Sequence, residues 1–224
     1  MDPPEPGLRE RKKRRTRQLI AATARRLFAE RGFEAVTVAE VARAADMSEA
    51  TVFNYFPTKE DLFYSGLEAF EEELLATIRD RRPGESALAA FARFVLRPRG
   101  LLAATDPEAA EHLAAITRVI VESPALLARE QRIFAGYTDS LAALLAEETG
   151  AAPHAVAPWV AANALMGVHR ALVHDSRRRL VAGERNPRLA RAIRAQGRQA
   201  IAVLERGLGD YAIRDGGAQR GETR

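Results

Sequence analysis

Residues 37–55 read TVAEVARAADMSEATVFNY, and they carry the strongest local structural signals in the chain. Apolar side chains recur in this segment at steps of three and four residues, the spacing of a helix with one buried face. Thr37 followed by Glu40 has the pattern of a capping box, and Ser48 is a suitable cap for a second helix. The segment therefore predicts two short helices separated by a three-residue turn at residues 46–48.

The two predicted helices, residues 38–45 and 49–55, have the dimensions of a helix-turn-helix unit. In such units the second helix enters the major groove of DNA, which at about 12 Å wide admits one helix with its side chains. Asp46 begins the turn, and aspartate tolerates the left-handed backbone that a tight turn needs. The apolar side chains of the second helix and its end are expected in the core: Val52, Phe53 and Phe56. The pattern predicts a DNA-binding module.

The segment before this unit predicts a basic helix, residues 11–31, with Gly32 as its C-terminal cap. Residues 1–31 hold ten basic and four acidic side chains, whereas the whole chain has a formal net charge of +4. The other 193 residues therefore carry a net charge of −2. We expect the basic front of the chain to contact a polyanion, with Lys12 and Arg15 placed to reach phosphates.

The rest of the chain also predicts helices and no strands. Thr58 with Asp61 caps a helix whose apolar period continues over residues 59–78, which predicts one long helix. Helical periodicity recurs near residues 85–97 and 153–179. Three further helix starts are marked by a proline: Asp106-Pro107, Ser123-Pro124 and Asn186-Pro187. The expected fold class is all-α.

The composition excludes several classes of protein. The chain has 224 residues and no cysteine, which excludes disulfides and cysteine-ligated zinc. The longest apolar stretch, residues 155–168, is too short to span a bilayer. Motifs of hydrolases, nucleotide-binding enzymes and zinc proteases are missing, and no cofactor or metal site is indicated. The sequence predicts a cytoplasmic protein that is not an enzyme.

Residues 25–63 resemble one family closely, the tetracycline-repressor-like (TetR) regulators of bacterial transcription. In that family a helix ends in F-x-x-x-G-[FY]. It is followed by T-[VT]-x-x-[IV]-A-x-x-A-G-[VM]-S and then by T-[LVI]-[YF]-x-[YH]-F-x-[ST]-K-[ED]-x-[LF]. All three patterns occur here in order and at the right spacing, although Asp46 stands where the family usually has glycine and Phe53 replaces a frequent tyrosine. The resemblance implies an all-helical homodimer whose body binds a small ligand.

The apolar periodicity and the resemblance together divide the chain into four segments. Residues 1–10 are expected to be a mobile arm, and residues 211–224 a mobile tail, because both lack apolar periodicity. The resemblance implies a three-helix DNA-binding domain with a helix-turn-helix at residues 11–58. A helical ligand-binding and dimerisation domain follows at residues 59–210.

Residue by residue, the resemblance implies two kinds of DNA contact. Hydroxyl and lysine side chains lie where the family contacts phosphate: Thr37, Ser48, Thr51, Tyr55 and Lys59. Three residues lie where the family meets bases: Glu49, Ala50 and Asn54. Asparagine can pair with two atoms of adenine, whereas glutamate can accept only from a donor such as the cytosine amine. Glu49 is either a base contact or a rim residue without a contact, and both alternatives stay open.

The resemblance also implies a ligand pocket and a dimer interface in the body. Aromatic and polar side chains on predicted helices could line the pocket: Phe70, Phe91, Phe94, Phe134, Tyr137, Trp159, Asn163 and His169. The alternative for each of them is ordinary core packing. Two stripes of small or apolar residues could form the interface: Val160, Ala164, Gly167 and Ala171, then Ile201, Leu204 and Leu208. The basic run at residues 177–179 is expected to be a solvated face.

The resulting hypothesis is a homodimeric repressor that binds a pseudopalindromic DNA operator and is released by a small-molecule inducer. Its expected partners are the operator, an inducer of unknown identity and a second copy of the chain, with no membrane contact. The alternative is an architectural helical protein that binds nucleic acid without sequence preference.

Overall fold

The computed structural model describes residues 7–97, 103 and 107–207, which form ten α-helices and no strand. In this part of the chain no helix has both the length and the apolar character to cross a membrane. The expected all-helical class is confirmed. The helices are α1 (Leu8–Arg31), α2 (Val38–Ala44), α3 (Glu49–Tyr55), α4 (Lys59–Phe63), α5 (Leu67–Arg79), α6 (Ala87–Leu96), α7 (Pro107–Glu122), α8 (Pro124–Thr149), α9 (Ala157–Val181) and α10 (Arg188–Arg206).

Helices α2, α3 and α4 begin where their caps predict. Thr37 and Glu40 exchange the two hydrogen bonds of a capping box, and Thr58 and Asp61 do the same. Ser48 accepts a hydrogen bond from the third residue of α3. Such caps satisfy backbone N–H groups with side chains a few residues away, so their position depends on local sequence alone.

The predicted helix over residues 59–78 is wrong, because the structure breaks it into α4 and α5. The break contains Gly66, whose φ of 97° lies in the left-handed region that glycine adopts at little cost. The apolar period continues across the break, although α4 buries Leu62 and Phe63 in one cluster of side chains and α5 buries Leu74 and Ile78 in another. Periodicity alone therefore does not reveal the turn.

Other boundaries differ by a few residues. Helix α1 begins at Leu8, so part of the expected arm is helical, and α10 begins at Arg188, just after the proline of its predicted start. Residues 1–6 and the expected tail at 211–224 lie outside the described residues.

Two clusters of buried side chains hold the helices together. The first joins α1 to α4 through residues such as Ile20, Phe28 and Val52, and it continues into Ile120 of α7 and Leu126 of α8. The second fills the body between α5, α6 and α7 to α10. Since the first cluster contains body residues, the helix-turn-helix unit rests directly on the body.

Candidate nucleic-acid interface and internal cavity

The turn between α2 and α3 has the backbone that the sequence predicts. Asp46 has a φ of 56°, in the left-handed region, and the N–H of Met47 donates to the carbonyl of Ala42 at 2.9 Å. The hydroxyls of Ser48 and Thr51 are 2.8 Å apart. These contacts fix the direction in which α3 leaves the turn.

Helix α3 has one buried side and one exposed side. Val52 and, just after the helix, Phe56 are buried in the first cluster, as expected. The prediction that Phe53 is also core is wrong, because 46% of its surface is exposed. Val52 and Phe56 are four residues apart and share one face, whereas Phe53 points away from them. The exposed side carries the three residues implied as base contacts and Phe53: Glu49, Ala50, Phe53 and Asn54.

The residues implied as phosphate contacts surround this exposed side. Thr37 and Ser48 are exposed, while Thr51 and Tyr55 are half-buried. The hydroxyl of Thr37 is already engaged, since it donates to the Glu40 carboxylate at 2.9 Å. Lys12 and Arg15 are exposed on α1.

Lys59 is held at the start of α4. Its ammonium lies 4.2 Å from the ring centroid of Phe33 and 3.5 Å from the carbonyl oxygen of Glu34. This cation–π contact positions the charge without using all three ammonium hydrogens, so Lys59 keeps donors for a phosphate.

Two arginines that the sequence analysis did not single out brace the unit. Arg17 of α1 donates to the carbonyl of Tyr55 at 3.0 Å and lies 4.6 Å above the ring of Phe56. Arg31 pairs with Glu40 at 2.8 Å. Arg17 is three residues before the buried Ile20, and this helical spacing could have indicated its inward direction.

The contacts of Glu40 with Arg31 and Thr37 lower the pKa of its carboxyl group from the ordinary value of 4.5 to about 2. The backbone N–H of Thr37 contributes most, followed by the hydrogen bond from Arg31 and the hydroxyl of Thr37. All three favour the carboxylate over the acid. Glu40 is therefore ionised under ordinary conditions and its charge is balanced by Arg31.

Three contacts tie residues that flank the helix-turn-helix unit to α8 and to the residue just before it. Arg129 of α8 pairs with Asp61 of α4 at 2.7 Å. The Ser123 hydroxyl donates to the Glu34 carboxylate at 2.7 Å, just before α8. The buried hydroxyl of Tyr64, which follows α4, donates to the carbonyl of Leu126 in α8 at 3.1 Å. Ser123 and the first turns of α8 thus contact residues on both sides of the unit, Glu34 before it and Asp61 and Tyr64 after it.

The body contains a cavity of about 310 Å³ beside these contacts. Four of the eight residues expected in a ligand pocket line it: Phe70, Phe134, Tyr137 and His169. Their rings form one group, in which His169 lies 4.7 Å from Phe70 and 5.3 Å from Phe134, centroid to centroid. The cavity wall continues through Phe63, Tyr64 and Leu67, which connect it to the end of α4.

The other four expected pocket residues do not line this cavity. Phe94 packs behind it against Phe70, and Phe91 is completely buried in the body core. For Trp159 the expectation of an enclosed position is wrong, because 55% of its surface is exposed at the start of α9. Asn163 donates its side-chain amide to the carbonyl of Trp159 in its own helix at 2.9 Å.

A charged pair that sequence reasoning missed forms part of the wall. Arg177 of α9 holds the carboxylate of Glu130 of α8 with two nitrogens, one at 2.7 Å, and both side chains are largely buried. The expectation that residues 177–179 form a solvated face is therefore wrong for Arg177. Burial raises the pKa of the nearby Tyr64 well above its usual range, and the charge of Glu130 adds to the effect.

The residues expected at a dimer interface divide into two groups. On α9, Val160 and Ala171 are exposed, while Ala164 and Gly167 are half-buried. The exposed Val156 and Trp159 extend this surface into a patch at the start of α9. On α10 the expectation for Ile201 is wrong, since its side chain is buried in the body core, and Leu204 is half-buried. Leu208 lies outside the described residues.

No group of three or more histidine, aspartate or glutamate side chains within residues 7–97 and 107–207 could hold a metal ion. The surroundings of α3 instead combine exposed hydroxyl, amide and cationic groups, which suit phosphate and base edges.

Comparison with known proteins identifies relatives of this chain. A family model for bacterial regulatory proteins of the tetR family matches residues 20–65. The chain is 36% identical over 153 residues to the HTH-type transcriptional regulator TcmR of Streptomyces glaucescens, and the alignment covers 66% of each protein. The matched region thus spans just under two thirds of TcmR.

Solved structures share the fold at lower identity. FadR from Bacillus subtilis, solved in complex with stearoyl-CoA, has a TM-score of 0.51 and 21% identity, over 83% of this chain and 96% of FadR. NalD, described as the secondary repressor of the MexAB-OprM multidrug efflux pump in Pseudomonas aeruginosa, has a TM-score of 0.51 and 19% identity. That match covers 84% of this chain and 96% of NalD. Taken with the family model and the identity to TcmR, the helix-turn-helix geometry leads to one conclusion: the chain belongs to the TetR family of bacterial regulatory proteins.

Proposed function

We propose that the protein is a DNA-binding transcriptional regulator, a homodimeric repressor that binds a pseudopalindromic operator and releases it when a small molecule binds in the body. Residues 11–58 would form the DNA-binding domain and residues 59–210 the ligand-binding and dimerisation domain. The observation that carries the proposal is the exposed side of α3. There Ala50 and Asn54 face away from the protein, next to the hydroxyls of Ser48 and Thr51.

The chemistry of these residues separates two roles. Ser48, Thr51 and Lys59 would position α3 by binding phosphate oxygens, which are the same in every sequence. Asn54 can donate to N7 and accept from the N6 amine of adenine, and so it would select sequence. Glu49, next to the phosphates, would be a weaker contributor unless a cytosine amine faces it.

The test of DNA recognition is selection of fragments of the source genome by the purified protein. We expect an enriched pseudopalindrome whose half-sites lie about one helical turn apart or a multiple of it. Asn54→Ala should lose about 1–3 kcal/mol of preference for the selected base, while Lys59→Ala should weaken binding to all duplexes alike. Equal binding of selected and random duplex by the unaltered protein would refute the proposal and favour the architectural alternative.

The homodimer is supported by the apolar patch at the start of α9. Val156, Trp159 and Val160 are all more than half exposed, and large apolar side chains rarely cluster on a monomer surface without a partner. The half-buried Ala164 and Gly167 continue along the same helix and would allow close approach of a second helix. A pair of operator half-sites requires such a two-fold partner.

The cavity of about 310 Å³ is the proposed inducer site. It is of a size and aromatic character typical of small-molecule sites. FadR holds stearoyl-CoA, so a protein of this fold can accommodate a ligand. Tyr64, which follows α4, and Leu67, which begins α5, both line the cavity, so a ligand there would contact the turn between these two helices.

The inducer site can be tested with a pair of variants on α9. Val173 lines the cavity, whereas Val181 is exposed at the end of the helix. A thermal-shift screen of metabolites should find compounds that raise Tm and release DNA. Val173→Phe, which narrows the cavity, should abolish the Tm shift and the release while DNA binding persists, and Val181→Phe should respond as the unaltered protein does. An unchanged response in Val173→Phe would locate the ligand elsewhere.

A further inference from the structure

The recognition helix carries an unusual set of exposed side chains. Its seven residues are EATVFNY, with neither lysine nor arginine. Paired donors from those two residues to O6 and N7 are the commonest specific contacts with guanine. Helix α3 therefore has no side chain for that contact, and its readout must use other chemistry.

Phe53 is a large apolar side chain exposed on α3. The residue is 46% exposed, whereas Val52 and Phe56 on the buried face are almost completely covered. Leaving this ring in water gives the free protein no packing energy. An exposed apolar ring on the face that enters the major groove has one apolar partner there, the C5 methyl group of thymine.

The spacing of α3 places this ring beside the other base-facing groups. Ala50, Phe53 and Asn54 are related by steps of three and four residues, so they share one face of the helix. Phe53 and Asn54 are consecutive residues, about 1.5 Å apart along the helix axis, which is less than the step between base pairs. An adenine bound by Asn54 and a thymine against Phe53 would then belong to the same or the adjacent base pair.

We infer that Phe53 is a specificity-determining residue that reads a thymine through its methyl group, and that α3 therefore selects A·T pairs. This inference rests on the proposed DNA-binding function and extends it to a residue and a base. A contact with a methyl group needs no hydrogen bond from the side chain. Phe53 can therefore make it, although it lacks the hydroxyl with which a tyrosine at this position could bind a phosphate.

The test removes the methyl group and leaves the protein unchanged. In the duplex that the protein selects from genomic fragments, each symmetric pair of thymines is replaced in turn by deoxyuridine, and Kd is measured by fluorescence anisotropy at fixed salt. We expect one symmetric pair to weaken binding about fourfold for each methyl group lost, the value for burial of one methyl group, and so about sixteenfold for the whole duplex. Phe53→Ala should weaken binding to the unmodified duplex and show no further loss with uracil at that position.

Val181→Ala is the matched control, because Val181 is similarly exposed but lies at the far end of α9. It should keep both the affinity and the uracil effect. If uracil costs nothing at any position of a selectively bound duplex, or costs the same in Phe53→Ala, the assignment of Phe53 is wrong while the proposed function stands. If the protein prefers no duplex over random DNA, the proposed function and this inference fail together.

Discussion

Arg129 of α8 lies 2.7 Å from the Asp61 carboxylate of α4, and the second oxygen of that carboxylate accepts the backbone N–H of Thr58 at 3.1 Å. The Asp61 side chain therefore both caps α4, the helix that follows the recognition helix, and anchors α4 to α8. Because the two functions use different oxygens, they can be separated by mutation.

A double-mutant cycle with Asp61→Asn and Arg129→Met should measure the contact between α4 and α8. The amide keeps an oxygen for the cap but loses the charge that faces Arg129. Since both side chains are mostly buried, we expect a coupling energy of about 1 kcal/mol in urea unfolding, at the upper end for such pairs. The exposed pair Arg26–Glu30 is the control and should give less than about 0.5 kcal/mol. Equal coupling in both cycles would mean that the pair between α4 and α8 stabilises the protein no more than an exposed pair does.

The features that could be predicted from the sequence are those that depend on contacts between residues close together in the chain. The caps at Thr37, Ser48 and Thr58 act within three residues, so the starts of three helices were predictable. The break at Gly66 was not, because the apolar period is the same on both sides of it. Local pattern determines where a helix starts, whereas the direction of the next helix depends on what it packs against.

The candidate sites show the same limit. Aromatic residues at helical spacing predict burial, but they do not distinguish the cavity wall at Phe134 from the solid core at Phe91. The pair of Glu130 and Arg177 joins residues 47 positions apart, and nothing in the local sequence indicates it. Phe53 could have been recognised, since it falls outside the face shared by Val52 and Phe56.

The pair of Glu130 and Arg177 should make an unusually large contribution to stability when only one partner is removed. Glu130→Gln leaves a largely buried guanidinium without its counter-charge, and we expect a loss of about 3–5 kcal/mol in the free energy of unfolding. The double variant Glu130→Leu/Arg177→Met should recover most of this loss, because it removes both charges. A loss below about 1 kcal/mol for Glu130→Gln would show that water reaches the pair.

The stability contributed by Glu40 should depend on pH in the acid range. Its pKa of about 2 in the folded protein lies below the ordinary value of 4.5, so the unfolded state binds the proton more readily. The contribution is therefore fully present above about pH 4.5 and is lost as the pH falls towards 2. Glu40→Gln should be less stable than the unaltered protein at pH 7, with the difference shrinking below pH 4.5. Thermal unfolding at a series of pH values measures this, and a difference that stays constant down to pH 2.5 would contradict the assignment.

Trp159 can report on the proposed dimer, because it is the single tryptophan of the chain and is exposed in the isolated protomer. On association its emission should shift to shorter wavelength as the patch is covered. Val160→Glu should weaken the dimer at least about tenfold, through burial of a charge in an apolar contact. Val181→Glu, a similarly exposed site at the other end of α9, should leave it unchanged. Dimers in ultracentrifugation without any change in emission would exclude this patch from the interface.

Two helical glycines should respond in opposite directions to alanine. At Gly136 of α8 a new Cβ meets nothing within 4 Å, so Gly136→Ala should stabilise the protein by about 0.5–1 kcal/mol through helix propensity. At Gly197 of α10 the Cβ would lie 3.4 Å from Leu172 Cδ1 and much closer to Leu96 Cδ2, where α10 packs on α6. Leu96 must move, so we expect Gly197→Ala to destabilise by about 1 kcal/mol.

The background variant Leu96→Ala distinguishes crowding from other causes. With the leucine removed, the added methyl group at residue 197 has room, and Gly197→Ala should become stabilising, as at Gly136. Urea unfolding of the four combinations gives the interaction energy directly. If Gly197→Ala destabilises equally in both backgrounds, contact with Leu96 is not the reason that α10 carries glycine at this position.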